Sequence, residues 1–148
     1  MPEELTEEEK EIKAREIVKT FMMGNGYSSI AVDLILDPVD MRICDLHNAF
    51  GIIDGFCGDT MMMWIQVEDD VIVDISFNTD GCQNSVAAGG MATKLAKGKT
   101  LDEAMEIDQK MILDELGGLP DDEHCAELAS NTLRVAISDY KYSQNEQE

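Results

Sequence analysis

The chain has 148 residues, with 31 Asp and Glu against 11 Lys and Arg, for a formal net charge of −20. A balance so acidic repels phosphate backbones, and the cations are scattered rather than gathered into a stripe, which excludes nucleic acid as a partner. No apolar run approaches the ~20 residues of a membrane span, and a chain of this length can bury a core without a metal or disulfide to hold it.

Four cysteines are too few for a secreted disulfide scaffold, and residues 1–16 hold seven Glu where a signal or organellar transit segment would be basic or acid-poor. The expectation is a cytoplasmic protein with free thiols and a strongly solvated acidic surface.

Thr6 followed by Glu9 makes a capping box, and Ile12, Ile17, Val18, Phe21 and Met22 then mark an apolar helical stripe ended by Gly24-Asn25-Gly26. A second helix is predicted from Ser28 or Ser29 to Pro38, because the residue before a proline is pushed out of the helical region. Residues 39–48 give no periodic signal, and Ala49 to Ile53 suit a short strand leading into a loop at Cys57.

Met61–Val67 and Val71–Phe77 read as a β-hairpin around Glu68-Asp69-Asp70, with Val71, Val73, Ile75 and Phe77 alternating along one buried face. A small-residue helix is expected over Ser85–Ala96, stopped by Gly98. Thr100 and Glu103 make a second capping box for a short helix, and another short helical piece spans Met111–Leu116. The last helix shows the stripe Cys125, Ala129, Leu133, Ala136, Ile137 and Tyr140, followed by a polar, frayed tail from Ser143.

Three short motifs carry the chemistry: Cys57-Gly58-Asp59, Gly81-Cys82 and His124-Cys125. Cys82 falls just before a predicted helix and Cys125 in the first turn of another. At such N-termini the unsatisfied backbone N–H groups favour thiolate, the form that ligates metal and attacks sulfur. Thiolates select soft or borderline metals, so zinc or an iron–sulfur cluster fits better than calcium or magnesium. Taken alone, each cysteine also reads as a small buried hydrophobe and His124 as a capping or surface residue. Cys44, set among Met41, Ile43 and Leu46 with no flanking glycine, is read as structural, and Met61-Met62-Met63 as strand core.

The ordered series Cys57-Gly58-Asp59, Gly81-Cys82, Gly98-Lys99-Thr100-Leu101-Asp102-Glu103-Ala104 and His124-Cys125 resembles the IscU/NifU-type iron–sulfur cluster scaffold proteins. Tyr27-Ser28 and Ser138-Asp139-Tyr140 are similar to the two ends of that domain. The resemblance implies an α+β domain over residues 27–142, with a three-stranded antiparallel sheet and helices packed on it. Residues 1–26 would then be an added N-terminal helical extension and 143–148 a polar tail.

It further implies a scaffold and carrier rather than an enzyme. Such a protein accepts persulfide sulfur from a cysteine desulfurase, combines it with iron into a transient 2Fe–2S cluster, and passes the cluster to apo iron–sulfur proteins. Cys57, Asp59, Cys82, His124 and Cys125 match the family's cluster or zinc ligands, with Cys125 the first persulfide acceptor. A monomer or weak homo-oligomer is expected, with zinc possible in the isolated protein.

The chain departs from the family pattern at Leu119-Pro120-Asp121-Asp122-Glu123, which lacks the second proline and the lysine that an Hsp70/J-type chaperone pair grips. Asp37-Pro38-Val39-Asp40 likewise replaces an Asn-Pro-Arg-Asn-like segment. The interval between Cys82 and Cys125 has no room for the insertion of the zinc-bearing SufU branch, so a zinc-dependent sulfurtransferase is the alternative and a cluster scaffold the leading expectation. A module holding a purely structural zinc is a third reading of the same residues.

Overall fold

The structure is a computed structural model that describes residues 4–38, 40–55, 58–120 and 124–146. Three strands, β1 (Ala49–Asp54), β2 (Thr60–Glu68) and β3 (Val71–Thr79), form one antiparallel sheet in the order β1-β2-β3. Before it come α1 (Glu7–Gly24) and α2 (Ser29–Leu36). After it come α3 (Gln83–Ala96), α4 (Leu101–Met105), α5 (Gln109–Leu116) and α6 (His124–Glu146). The expected α+β architecture, a three-stranded sheet with helices packed on it and an extra helix at the N-terminus, is the one found.

The long helices α3 and α6 lie side by side on one face of the sheet, α6 over β1 and β2 and α3 over β3. Met61, Met63, Ile65 and Val67 from β2, with Ile72, Ile75 and Phe77 from β3, meet Ala87, Ala88, Met91 and Ala92 of α3 and Ala129, Leu133, Ala136 and Ile137 of α6 in one core. Small residues make that contact close. A Cβ on Gly51 of β1 would lie 2.6 Å from the backbone N of Ala136, and one on Gly89 would lie 2.6 Å from the Phe77 ring. The Met run divides as the pleat requires, Met61 and Met63 fully buried and Met62 on the other face.

The hairpin departs from strict alternation. Its turn is the two residues Asp69 and Asp70, both at positive φ (53° and 63°), the twist that a tight antiparallel hairpin demands. A bulge then falls where Gln66 pairs with Asp74 and Val67 with Ile72. Val73 is the extra residue: it is exposed, and Ile72 takes the core place expected of Val71 and Val73. Past the bulge the expected alternation holds at Ile75 and Phe77.

The segment without periodicity, at 40–47, crosses the β3 edge. Phe77 N–H donates to Asp40 O (2.9 Å), and Met41 bridges Phe77 in parallel. Further along that edge Ile72 N–H donates to Lys99 O, and Gly98 N–H to Ile72 O, each at 2.8 Å.

The α1 stripe lies largely in solvent: Met22 is buried, but Ile12, Ile17, Val18 and Phe21 are exposed, and among the described residues the main packing partner of α1 is α2. One expectation at the other end needs correction: α6 continues to Glu146, so the tail expected to fray from Ser143 is helical as far as that residue. Of the two expected capping boxes, Thr100 and Glu103 cap one another reciprocally, whereas at Thr6 the half that forms is the hydroxyl oxygen accepting from the Glu9 N–H.

Candidate metal centre

The site is assembled by the pairing of β2 with β3. That register puts Met61 opposite Thr79, so the loop entering β2 and the loop leaving β3 meet at one end of the hairpin. Thr60 binds them together. Its N–H donates to Asp80 Oδ1 (2.8 Å), and its carbonyl accepts from Thr79 Oγ1 (2.7 Å), which itself accepts from Gly81 N–H (3.0 Å). In the first loop Gly55 N–H donates to Asp59 O (2.6 Å), and Gly58 takes φ +85°, a left-handed turn natural to glycine. Asp59 is thereby presented directly before β2. Cys82 is the N-cap residue of α3, and Cys125 lies in the first turn of α6.

The ligand atoms of Asp59, Cys82 and Cys125 all lie within 4.8 Å of one another. Three elements far apart in sequence thus converge on a volume that one cation or a small cluster can fill. Cys82 is exposed, Asp59 is half-buried and Cys125 has no exposure, so the site is a shallow mouth with a buried floor. Ser85, fully buried in the first turn of α3, ties the set together. Its Oγ lies 3.1 Å from Asp59 Oδ2, to which it donates, and 3.3 Å from Cys125 Sγ. Gly81 makes room for this: a Cβ there would stand 2.5 Å from Ser85 Oγ and 2.8 Å from both Asp59 Cγ and Oδ2. The carboxylates of Asp54 and Asp80 join that of Asp59 around Thr60, giving the mouth a negative potential that attracts cations.

Of the other expected ligands, Cys57 lies outside the described residues, as do Asp121, Asp122 and Glu123. His124 is exposed beside the site, lining a groove with Asp54, Gly55, Glu127 and Asn131, and it is not in the group whose ligand atoms fall within 4.8 Å. The three described cysteines, Cys44, Cys82 and Cys125, form no disulfide with one another.

Cys44 belongs elsewhere. It is buried at Asp74, five residues down β3 from Thr79 and on the opposite face of the sheet, and its Sγ donates to Asp74 Oδ2 at 3.3 Å. Burial, reinforced by the neighbouring carboxylate, pushes the Cys44 thiol up from its ordinary value, so it stays a protonated donor. Burial also pushes the Asp74 carboxyl up, but hydrogen bonds from Arg42 (2.8 Å), Cys44 and the Ile75 N–H outweigh it and hold the acid below its ordinary value. The same bond to Asp74 raises the Arg42 guanidinium. This is the structural role expected of Cys44.

Sequence reasoning missed Ser85 and Asn84. Asn84 Nδ2 donates to Pro120 O (3.0 Å), and its Oδ1 accepts from Tyr27 Oη (2.6 Å), which anchors the segment leading to α6 against the start of α3. The available signal was their place two and three residues after Cys82, in the turn that must face whatever Cys82 faces.

Residues 26–147 match the model of the NifU-like N terminal domain family. The iron-sulfur cluster assembly scaffold protein IscU 1 of Archaeoglobus fulgidus is 40% identical over 116 residues, 77% of this chain and 76% of its own length. The IscU scaffold protein of Aquifex aeolicus is 38% identical over 126 residues, 82% of this chain and 80% of its own.

Among solved structures, a putative SUF-system scaffold from Fervidobacterium islandicum superposes with a TM-score of 0.61 at 22% identity, over 75% of this chain and 96% of that one. The N-terminal NifU-like protein of Brucella abortus gives 0.60 at 15% identity, over 82% and 98%. These two show the same fold. With a family match over most of its length and relatives near 40% identity, the chain belongs to the NifU-like N-terminal domain family.

Proposed function

We propose that the protein is a scaffold on which an iron–sulfur cluster is assembled from iron and desulfurase-derived sulfur and from which the cluster passes to apo-proteins. The observation that carries the reading is the convergence of Asp59, Cys82 and Cys125 within 4.8 Å on three separate elements. The relatives bear names of scaffolds, which favours this function over a zinc-dependent sulfurtransferase. The cluster is cargo, of the 2Fe–2S type, held by Cys57, Cys82 and Cys125 with Asp59 or His124 completing the ligand set.

A scaffold must hold its cargo and also let it go. Two thiolates supply firm soft ligands, while a carboxylate oxygen is a harder ligand that a competing thiol displaces more readily. The exposed Cys82 and the open mouth admit a recipient's ligands, and the buried Cys125 keeps one side of the cargo dry.

Cys125 is the proposed first persulfide acceptor. Its thiolate attacks the outer sulfur of the desulfurase's persulfide, the sulfur–sulfur bond there breaks, and the desulfurase cysteine leaves as thiolate. The exposed Cys82 beside it marks the side from which that sulfur arrives. Cysteines at the mouth that form no disulfide with one another suit a reducing, cytoplasmic setting. No helix among the described residues is long and apolar enough to cross a membrane.

Anaerobic reconstitution with iron and sulfide, followed by visible and Mössbauer spectra and transfer to apo-ferredoxin, tests the scaffold reading. A product that carries only zinc and passes nothing on would refute it. Reaction with a cysteine desulfurase and cysteine, then mass-spectrometric mapping, tests the acceptor. Sulfur on Cys125 supports the assignment, and sulfur confined to Cys44 overturns it.

A further inference from the structure

Helical hydroxyls in this protein usually spend their proton on their own helix. Thr20 donates to Glu16 O, Ser130 to Glu127 O and Thr132 to Leu128 O, while Thr93 divides between Gly90 O (2.8 Å) and the more distant Asp40 Oδ2 (3.4 Å). Ser85 is different. Fully buried two residues before the run Ala87-Ala88-Gly89-Gly90, it sends its hydroxyl across to Asp59 Oδ2 and stands at 3.3 Å from Cys125 Sγ. A buried hydroxyl is costly unless bonded, and here both of its contacts are proposed ligand residues. With its single proton committed to the carboxylate, the Ser85 oxygen is left facing Cys125 Sγ at 3.3 Å. Gly81 is what allows the arrangement, because a side chain at that position would occupy the space of both the Ser85 hydroxyl and the Asp59 carboxylate.

The geometry points to Ser85 as a positioning residue that sets how Asp59 binds the cargo. By holding one carboxylate oxygen, Ser85 leaves the other as a single-point ligand, and by touching Cys125 it fixes the distance from that oxygen to the buried sulfur. One-point oxygen ligation beside thiolates suits four-coordinate iron or zinc. A free carboxylate swings into the two-point grip that larger oxygen-seeking cations use. This inference rests on the scaffold reading and deepens it, assigning to a residue outside the ligand set the control of coordination number.

The test uses cobalt(II) as a spectroscopic probe, titrated anaerobically into the full-length wild type, Ser85→Ala, Ser85→Thr, Ser85→Val, Asp59→Ala and the double variant Ser85→Ala/Asp59→Ala. Wild type is expected to show the intense visible bands of four-coordinate cobalt with sulfur charge transfer. Ser85→Ala is expected to lose about 10- to 100-fold in affinity and much of the visible intensity. Ser85→Thr, which keeps the hydroxyl, should recover both relative to its near-isostere Ser85→Val, and that pair answers the question even if the alanine variant folds poorly. In the Asp59→Ala background, Ser85→Ala should add little, since the residue acts through Asp59.

A Ser85→Ala spectrum and affinity equal to wild type would overturn the inference while leaving the scaffold reading intact. So would an undiminished loss in the Asp59→Ala background. Failure of the wild type itself to take up cobalt would instead refute the ligand set, and this inference with it.

Discussion

Asp59 is the one oxygen donor in the converging group of described residues, and the proposed function makes it the exchangeable ligand beside two thiols. Replacing it by alanine is expected to slow cluster transfer to apo-ferredoxin, because the exchangeable ligand is removed and sulfur ligation remains. Transfer at an unchanged or higher rate would refute the exchange role. Gly81→Ala should act more bluntly. Its Cβ would have to displace the Ser85 hydroxyl and the Asp59 carboxylate, so cluster yield should collapse, with a stability cost of about 1–3 kcal/mol in urea titrations.

At the other thiol the prediction concerns pH. Asp74 has a folded pKa below its unfolded value, so it stabilises the protein above about pH 3.9, and that contribution disappears as pH falls through the lowered folded value. Asp74→Asn should therefore cost about 1 kcal/mol near neutrality, allowing for the half-exposed Arg42, and nothing at strongly acid pH. Equal gaps between the two urea midpoints at all pH values would contradict the sign. Asp59, Cys82 and Cys125 were legible in the sequence because their types and neighbours announce metal chemistry. Ser85 was not, since a serine leading into a small-residue helix looks like packing until the partner across the gap is seen.

Among elements, β1 and α6 matter most, because their contact carries Cys125 to the sheet. Gly51 permits that contact at backbone distance from Ala136 N and Thr132 O. Gly51→Ala should pry the two apart, costing about 3 kcal/mol in a denaturant titration and loosening cobalt binding at the site. A variant as stable as wild type would mean that α6 slides without penalty. Strands and helices were readable where period and caps agreed, as at Thr100 with Glu103 and along the α6 stripe. The bulge at Val73 was unreadable because a β-branched residue gives the same signal on either face, and pairing with Gln66 and Val67 decides the matter. For α1, periodicity identified the helix but not its environment, since an apolar stripe states a capacity for burial and not the presence of a partner.

At the level of the whole molecule, a net charge of −20 on 148 residues makes self-repulsion a general load on the folded state. Raising salt from low ionic strength should increase the thermal midpoint as that repulsion is screened, in a scan that holds pH constant. A midpoint that falls with salt would show that the ion pairs at Asp74 outweigh the repulsion.

The outer boundary of β3 has a consequence for how recipients are met. Its main-chain groups at Ile72 and Phe77 already answer to Lys99, Gly98 and Asp40. At those two points an incoming strand would have to displace bonds already made, which disfavours continuous strand addition along this edge.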